Sequence, residues 1–328
     1  FEIADIIPSL LSGDDTSFRV KGLAIQLQSL VQTVVRLRPD MLLVLGDREE
    51  AMNTALIGAY MNIPVIHIAG GDRVVGNVDD QIRHAVTKLS HIHLTTNAES
   101  YKRIIDLGEQ DFRVFNVGNP GLDRFKQTEE MELNDISKKL KLKECIQKPF
   151  LMLIQHPIST EVDKSYGQMI ETLKAIESIG INTIIIHPNS DAGSEKIVKA
   201  IKIYKGLDYI HSFKNIPRVE FINLLRHSSC LIGNSSAGIL EAPLINLPVI
   251  NIGNRQLGRL HSENVQFVSH DKSEIIKAIK KALYDKEYKE KVSNCSNPYG
   301  DGCSSTRIAS ILADISIDQN LMIKDITF

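Results

Sequence analysis

The stretch that decides the fold is DMLLVLGDREEAMNTALIGAYMNIPVIHIAGGDRVVGNVDDQIRHAVTKLSHIHLTT, residues 40–96. Three short apolar runs, MLLVL, IPVIHI and HIHL, alternate with two longer segments whose apolar residues recur at helical spacing. Short continuous apolar runs suit strands buried on both faces, and the segments between them are long enough to return the chain for a parallel partner. NAESYKRIIDLG then reads as a helix and DFRVFNVGNPGLD as a strand and turn. This β-α-β-α rhythm predicts a parallel, doubly wound sheet.

Residues 126–148 are charged, with KKLKLKE at their centre, and hold no strand-like core run. The rhythm restarts with PFLMLIQHP and INTIIIHPN as strands, each followed by an amphipathic helix. It continues through the helix PRVEFINLLRHSS, the strands CLIGNSS, LPVINIG and NVQFVS, and the helix KSEIIKAIKKALYD, to a last helix near residues 304–316. The expectation is an α/β protein with two Rossmann-like domains facing a cleft. The first spans residues 1–145 and is rejoined by residues 298–328; the second spans 146–297.

Such folds bind ligands beyond the carboxyl ends of the strands. Those positions hold Asp47 and Arg48, then Gly70, Gly71, Asp72 and Arg73. The next helix opens with Asp79 and Asp80 and carries Arg83 and His84. In the second half the strand ends give His156, Asn189, Ser235, Ser236 and Arg255. LIGNSSAGILEAP, residues 231–243, reads as a strand, a turn and a helix starting at Ser235-Ser236. Free N–H groups and a helix dipole there suit a phosphate, and Glu241, about 9 Å further along a helix axis, suits the diol of an attached ribose. Ser235 as a mere N-cap and Glu241 as a solvated acid remain the plainer alternative. Asp47, Asp72, Asp79 and Asp80 are candidates to meet above one sheet edge, as acid–base groups or around Mg²⁺ with substrate phosphates. Asp79 and Asp80 also suit a first helical turn for dipole reasons alone. His91 and His93 share a strand face, but further metal ligands at suitable spacing are lacking.

The 328 residues are 43 % apolar and 24 % charged, with a formal net charge of −2. That balance is globular and gives no electrostatic reason to expect nucleic acid or an anionic membrane. No apolar run reaches the roughly 20 residues of a membrane helix. Cys145, Cys230, Cys295 and Cys303 form no CxxC pair, and without a signal peptide they read as free thiols of a cytoplasmic protein.

The residues at these strand ends resemble the UDP-N-acetylglucosamine 2-epimerase family. LVLGDR, HIAGGDRVVGNVDDQIRHAVTKLSHIH, LIQHP, IHPNSDAGS, IGNSSAGILEAP and INIGNRQLGRLHSENV follow in the family's order across almost the whole chain. DDQIRHAVTKLSH and GNRQLGR resemble the hydrolysing branch, which feeds sialic acid and related sugars. The resemblance implies a glycosyltransferase-B arrangement. It implies catalytic roles for Asp47, Asp72, Asp80 and His156, and substrate contacts from Arg48, Arg83, Asn189, Ser235, Ser236, Glu241 and Arg255. The implied substrate is a UDP-sugar, with no cofactor and no metal, in a homodimer or homotetramer.

Two departures stand out. Family members often carry Glu where this chain has Ala69, and they open with a strand and a Gly-Thr-Arg turn that is absent here, so an incomplete first domain with bare apolar surface is expected. The rival readings are a non-hydrolysing epimerase, a glycosyltransferase of the same fold and an inactive sugar-nucleotide binder.

Overall fold

The computed structural model describes residues 2–9, 16–73, 78–142, 144–189 and 191–327. Residues 74–77 of the HIAGG motif and Ser190 of IHPNS lie outside them. The chain forms two compact units, Phe1–Asp123 with Gly302–Phe328, and Arg124–Asp301.

In the first unit β1 (Leu42–Leu45), β2 (Val65–Ile68), β3 (Ile92–Thr95) and β4 (Val114–Asn116) form a parallel sheet in the order β1-β2-β3-β4. Helices Glu49–Met61, Val78–Leu89 and Ala98–Asp106 connect them. β2 and β3 are buried throughout, as central strands with apolar groups on both faces must be. β1 lies at the edge of this sheet and exposes Leu43 and Leu45. A further helix, Thr16–Leu37, packs on Glu49–Met61 and has no counterpart among the elements expected from sequence.

The C-terminal segment returns to this unit and is tied down by polar contacts. Asp123 accepts the Ser304 N–H at 2.9 Å and so caps helix Ser304–Asp314. Arg113 is fully buried and donates to the carbonyls of Leu321 and Ile323, both at 2.6 Å, and of Asn320 at 2.8 Å. Glu109 is buried against Lys88 Nζ and Lys324 Nζ, each at 2.8 Å, and His93 Nε2 at 3.1 Å. Burial opposes its ionisation, but His93 and the two lysines outweigh that and hold its pKa at about 2. His91 Nδ1 accepts the Val65 N–H at 3.1 Å. The histidine pair is therefore engaged in holding the unit together.

In the second unit the strands are β5 (Phe150–Ile154), β6 (Asn182–Ile186), β7 (Ile210–Phe213), β8 (Cys230–Gly233), β9 (Val249–Ile252) and β10 (Val265–Val268). All are parallel, in the order β10-β9-β8-β5-β6-β7. Counted from β5, this is the 3-2-1-4-5-6 order of a Rossmann sheet. Leu151 and Leu153 face one helical layer while Phe150, Met152 and Ile154 face the other. With apolar partners on both sides, the strand reads FLMLI without alternation.

The unit boundaries differ from those the sequence suggested. They fall at 123/124 and 301/302, not at 145/146 and 297/298. The charged segment forms helix Leu133–Lys139, and Phe125, Ile136 and Ile146 pack with Phe150 and Leu225 of the second unit. Its charges are the solvated face of an amphipathic element. β7 was also unforeseen: Ile-His-Ser-Phe is a short edge strand with one fully buried residue.

Candidate active site

The strand order of the second unit reverses between β5 and β8. At that point β8 ends in Gly233 with φ +119°, and a Cβ there would lie 2.1 Å from the Ile154 carbonyl oxygen. Only glycine allows this approach. Asn234 follows, buried, and its Oδ1 accepts the His156 N–H at 2.7 Å while Nδ2 donates to the His156 carbonyl at 2.9 Å. Its own carbonyl receives Arg255 Nη1 at 3.1 Å and Gln256 Nε2 at 3.0 Å. Asn234 thus ties together the ends of β5, β8 and β9. Sequence reasoning passed over it, although it lies inside the GNSS turn.

The helix expected from Ser235 is shorter than foreseen. An α-helical turn spans Ala237–Leu240 and a 3-10 turn Ala242–Ile245. Pro243 lacks an N–H and its ring opposes the carbonyl four residues back, so the α-helix cannot continue. An anion here would meet peptide N–H groups and hydroxyls, with little macrodipole behind them. Ser235 Oγ accepts the Ala237 N–H at 3.3 Å, whereas Ser236 makes no side-chain cap.

These groups line a cavity of about 580 Å³ inside the second unit. His156, Ser235 and Ser236 form a polar part of its wall, and Ile186, Ile216 and Phe221 an apolar part. Glu241 lines it as well, ion-paired with Arg218 from the segment after β7. Arg218 and Phe221 were not anticipated. The strand-end rule finds them once β7 is recognised as a strand.

Burial, then the nearby Arg255 charge, lowers the His156 pKa, against an opposing bond to Asn189. The imidazole is neutral near pH 7. Its Nδ1 lies 3.3 Å from the Asn189 N–H and 3.2 Å from Asn189 Oδ1. If it accepts the N–H, Nε2 is left carrying the proton as a donor. Asn189 Nδ2 in turn donates to Asp191 at 2.7 Å.

In the first unit the four aspartates do not form the Mg²⁺ site that was one reading of them. Among the described residues no three carboxylate, imidazole or thiol groups gather at metal-binding spacing. Asp47 follows β1 and pairs with Arg83. Asp72 Oδ1 accepts from the hydroxyls of Thr96 at 2.5 Å and Ser100 at 2.7 Å, which brace it against helix Ala98–Asp106. Asp80 sits in the first turn of Val78–Leu89, one turn before Arg83. Arg83, expected to contact substrate, is buried and donates to the Ala69 carbonyl at 2.6 Å as well as to Asp47. Ala69 adopts φ +61°, which turns that carbonyl at the end of β2. Arg48 is exposed beside Glu49 and Glu50.

The second unit is a Rossmann-type α/β unit whose switch point carries a cavity with phosphate- and diol-suited groups, and the first is a parallel α/β unit with an arginine-braced acid at a strand end. Residues 1–313 match the model of the UDP-N-acetylglucosamine 2-epimerase family, and the chain belongs to that family. It is 35 % identical over 99 % of its length, and 84 % of the relative's, to the hydrolysing UDP-N,N′-diacetylbacillosamine 2-epimerase of Legionella pneumophila. It is 31 % identical to the hydrolysing GDP/UDP-N,N′-diacetylbacillosamine 2-epimerase of Campylobacter jejuni, over 88 % of this chain and 75 % of that one. The UDP-GlcNAc 2-epimerase of Neisseria meningitidis, solved bound to UDP-GlcNAc, shares the fold with a TM-score of 0.77 at 19 % identity, over 93 % of this chain and 84 % of that one. Its fold class is thus the expected one, α/β with two parallel Rossmann-like sheets.

Proposed function

We propose that this protein is a hydrolysing 2-epimerase of a UDP-linked 2-acetamido sugar, releasing UDP and the free 2-epimer. The observation that carries the reading is the cavity at the β5/β8 switch point, where Ser235, Ser236 and His156 converge and Glu241 lies further along the wall. The diphosphate meets the Ser235 and Ser236 peptide N–H groups, the hydroxyl of Ser236, His156 Nε2 and Arg255, and the ribose diol meets Glu241. The names of the Legionella and Campylobacter relatives support the hydrolysing outcome and a sugar with a second acetamido group at C4.

The reaction is an elimination followed by hydration. A carboxylate takes the C2 proton as the C1–O bond to UDP breaks, leaving a 1,2-unsaturated sugar. Positive groups at the diphosphate stabilise the leaving charge. Water then adds its hydroxyl to C1, and a proton returns to C2 from the opposite face. We assign the proton transfers to Asp47 and Asp80, which need unlike protonation states. Asp47 stands beyond β1, held beside the Arg83 guanidinium, and Asp80 in the first turn of helix Val78–Leu89. The reading includes a cytoplasmic homodimer or homotetramer. Among the described residues, no helix is long and apolar enough to cross a membrane.

Incubation in heavy water with UDP-N-acetylglucosamine and its 4-acetamido relative tests the proposal. The expected result is UDP plus a free sugar epimerised at C2 and carrying deuterium there. Retention of the original C2 proton refutes elimination. UDP-linked product points to the non-hydrolysing reaction, and dependence on an acceptor to a glycosyltransferase.

A further inference from the structure

Glu241 is not a lone acid in the cavity wall. Its Oε1 accepts from Arg218 Nη2, and this is its one hydrogen-bonded side-chain partner among the described residues. Arg218 is the first residue of helix Arg218–His227, directly after Pro217. Its guanidinium carbon lies 5.4 Å from the centroid of the Phe221 ring, one turn along the same helix. Both Arg218 and Phe221 line the cavity with Glu241. The guanidinium is thus held between an aromatic ring and a carboxylate, a planar group fixed by its two neighbours.

This arrangement bears on how an acid can serve a site that also binds a diphosphate. A bare carboxylate in the same wall as Ser235 and Ser236 would repel the phosphates, since it is only 14 % exposed and poorly screened. Paired with Arg218, it presents no net charge. The pairing also consumes Oε1 and sets the plane of the carboxylate, so Oε2 remains to accept from a donor in the cavity. A vicinal diol supplies such donors, and a sugar without those hydroxyls does not.

We propose that Arg218 is a positioning residue: set against the Phe221 ring, it fixes the Glu241 carboxylate and neutralises it, and so gives the site its selection for a ribose diol beside a diphosphate. The proposal rests on the nucleotide reading of the cavity given above. It assigns Arg218 no contact with the reacting atoms.

The test compares UDP with 2′,3′-dideoxy-UDP by calorimetry on the whole protein. Both ligands carry the same diphosphate, so any direct phosphate contact cancels in the ratio of their Kd values. The wild type is expected to prefer UDP by about ten- to a hundredfold, the range for losing charge-assisted hydrogen bonds. Arg218→Met should collapse that preference to within about threefold. Arg218→Lys, which keeps the charge but not the planar fork, should restore part of it. In a Glu241→Gln background, Arg218→Met should leave the ratio unchanged. Three results overturn the proposal: a preference that survives Arg218→Met, equal weakening of both ligands, which marks a phosphate contact or a structural role, or a ratio change that persists without Glu241. A wild type that binds UDP without preferring it to the dideoxy analogue refutes Glu241 as the ribose acceptor, and failure to bind UDP at all refutes the nucleotide reading. The proposal falls with either.

Discussion

Arg83→Met separates bracing from substrate contact. The substitution keeps an unbranched apolar stem and removes the guanidinium. Two bonds disappear, the ion pair to Asp47 and the donation to the Ala69 carbonyl at 2.6 Å. Breaking a buried pair by removing one partner costs about 3–5 kcal/mol. Arg83 is 6 % exposed, but Asp47 is 19 % exposed, so water reaches the orphaned acid and the lower end applies. The unpaired Ala69 carbonyl adds about 1 kcal/mol. The expected loss is therefore about 3–4 kcal/mol in the first unit, read as a urea midpoint lowered by roughly 1–2 M, with faster hydrogen exchange around residues 65–69. Asp47→Asn combined with Arg83→Met should cost less than the sum of the single changes, since no charge is then stranded. Turnover should fall while UDP affinity holds, because UDP is assigned to the second unit. Unchanged stability together with a raised KM would refute this reasoning and return Arg83 to the role of a substrate ligand.

Asp80→Asn preserves shape and hydrogen bonding but removes the titrating group, and should cut turnover by about 10²–10⁴-fold with UDP binding retained; full activity would remove Asp80 from the mechanism. Gly233→Ala places a methyl against the Ile154 carbonyl at a backbone angle that L residues avoid, and should cost about 3 kcal/mol in the second unit and weaken UDP binding, whereas a loss below about 0.5 kcal/mol would show that β8 can shift freely. Acid should weaken the first unit before its carboxylates titrate. Burial lowers the pKa of His67 to about 3 and that of His91 to about 4, below the value of about 6.5 in the unfolded chain. The unfolded state therefore binds more protons below pH 6.5, and stability, level above that pH, should fall between pH 6.5 and 4 by up to about 2.7 kcal/mol per pH unit. Glu109, lowered to about 2, adds its own loss only below about pH 4.5. A flat urea midpoint for this unit from pH 7 to 5 would contradict the buried neutral state of both histidines.

Sequence showed the fold wherever burial was two-sided. β2, β3, β5, β8 and β9 are apolar runs because both faces carry helices, and each was legible for that reason. β7 was not, because its run Ile-His-Ser-Phe places two polar residues at its centre and buries only Ile210. The charged stretch before Pro149 suggested a domain boundary, but the apolar side of that helix belongs to the core of the second unit. Composition averaged over a segment hides one amphipathic face.

The site was legible by position and less so by partnership. The strand-end rule located Asp47, His156, Ser235 and Arg255, since topology alone puts those residues beyond the sheet. It could not say which side chains touch. Arg83 was expected at substrate, and its partners here are Asp47 and the Ala69 carbonyl. Asp72 was expected among acids, and its partners here are two hydroxyls of the neighbouring strand end and helix. Arg218 was not expected at all, yet it is the partner of Glu241. The same physics governs these three cases. A charged group drawn into a wall must find a counter-charge or a set of donors nearby, and that neighbour comes from another strand, often more than twenty residues away. The candidate residues of this fold stand at strand ends, and the groups that make their charges tolerable stand on adjacent elements, where motif spacing does not reach.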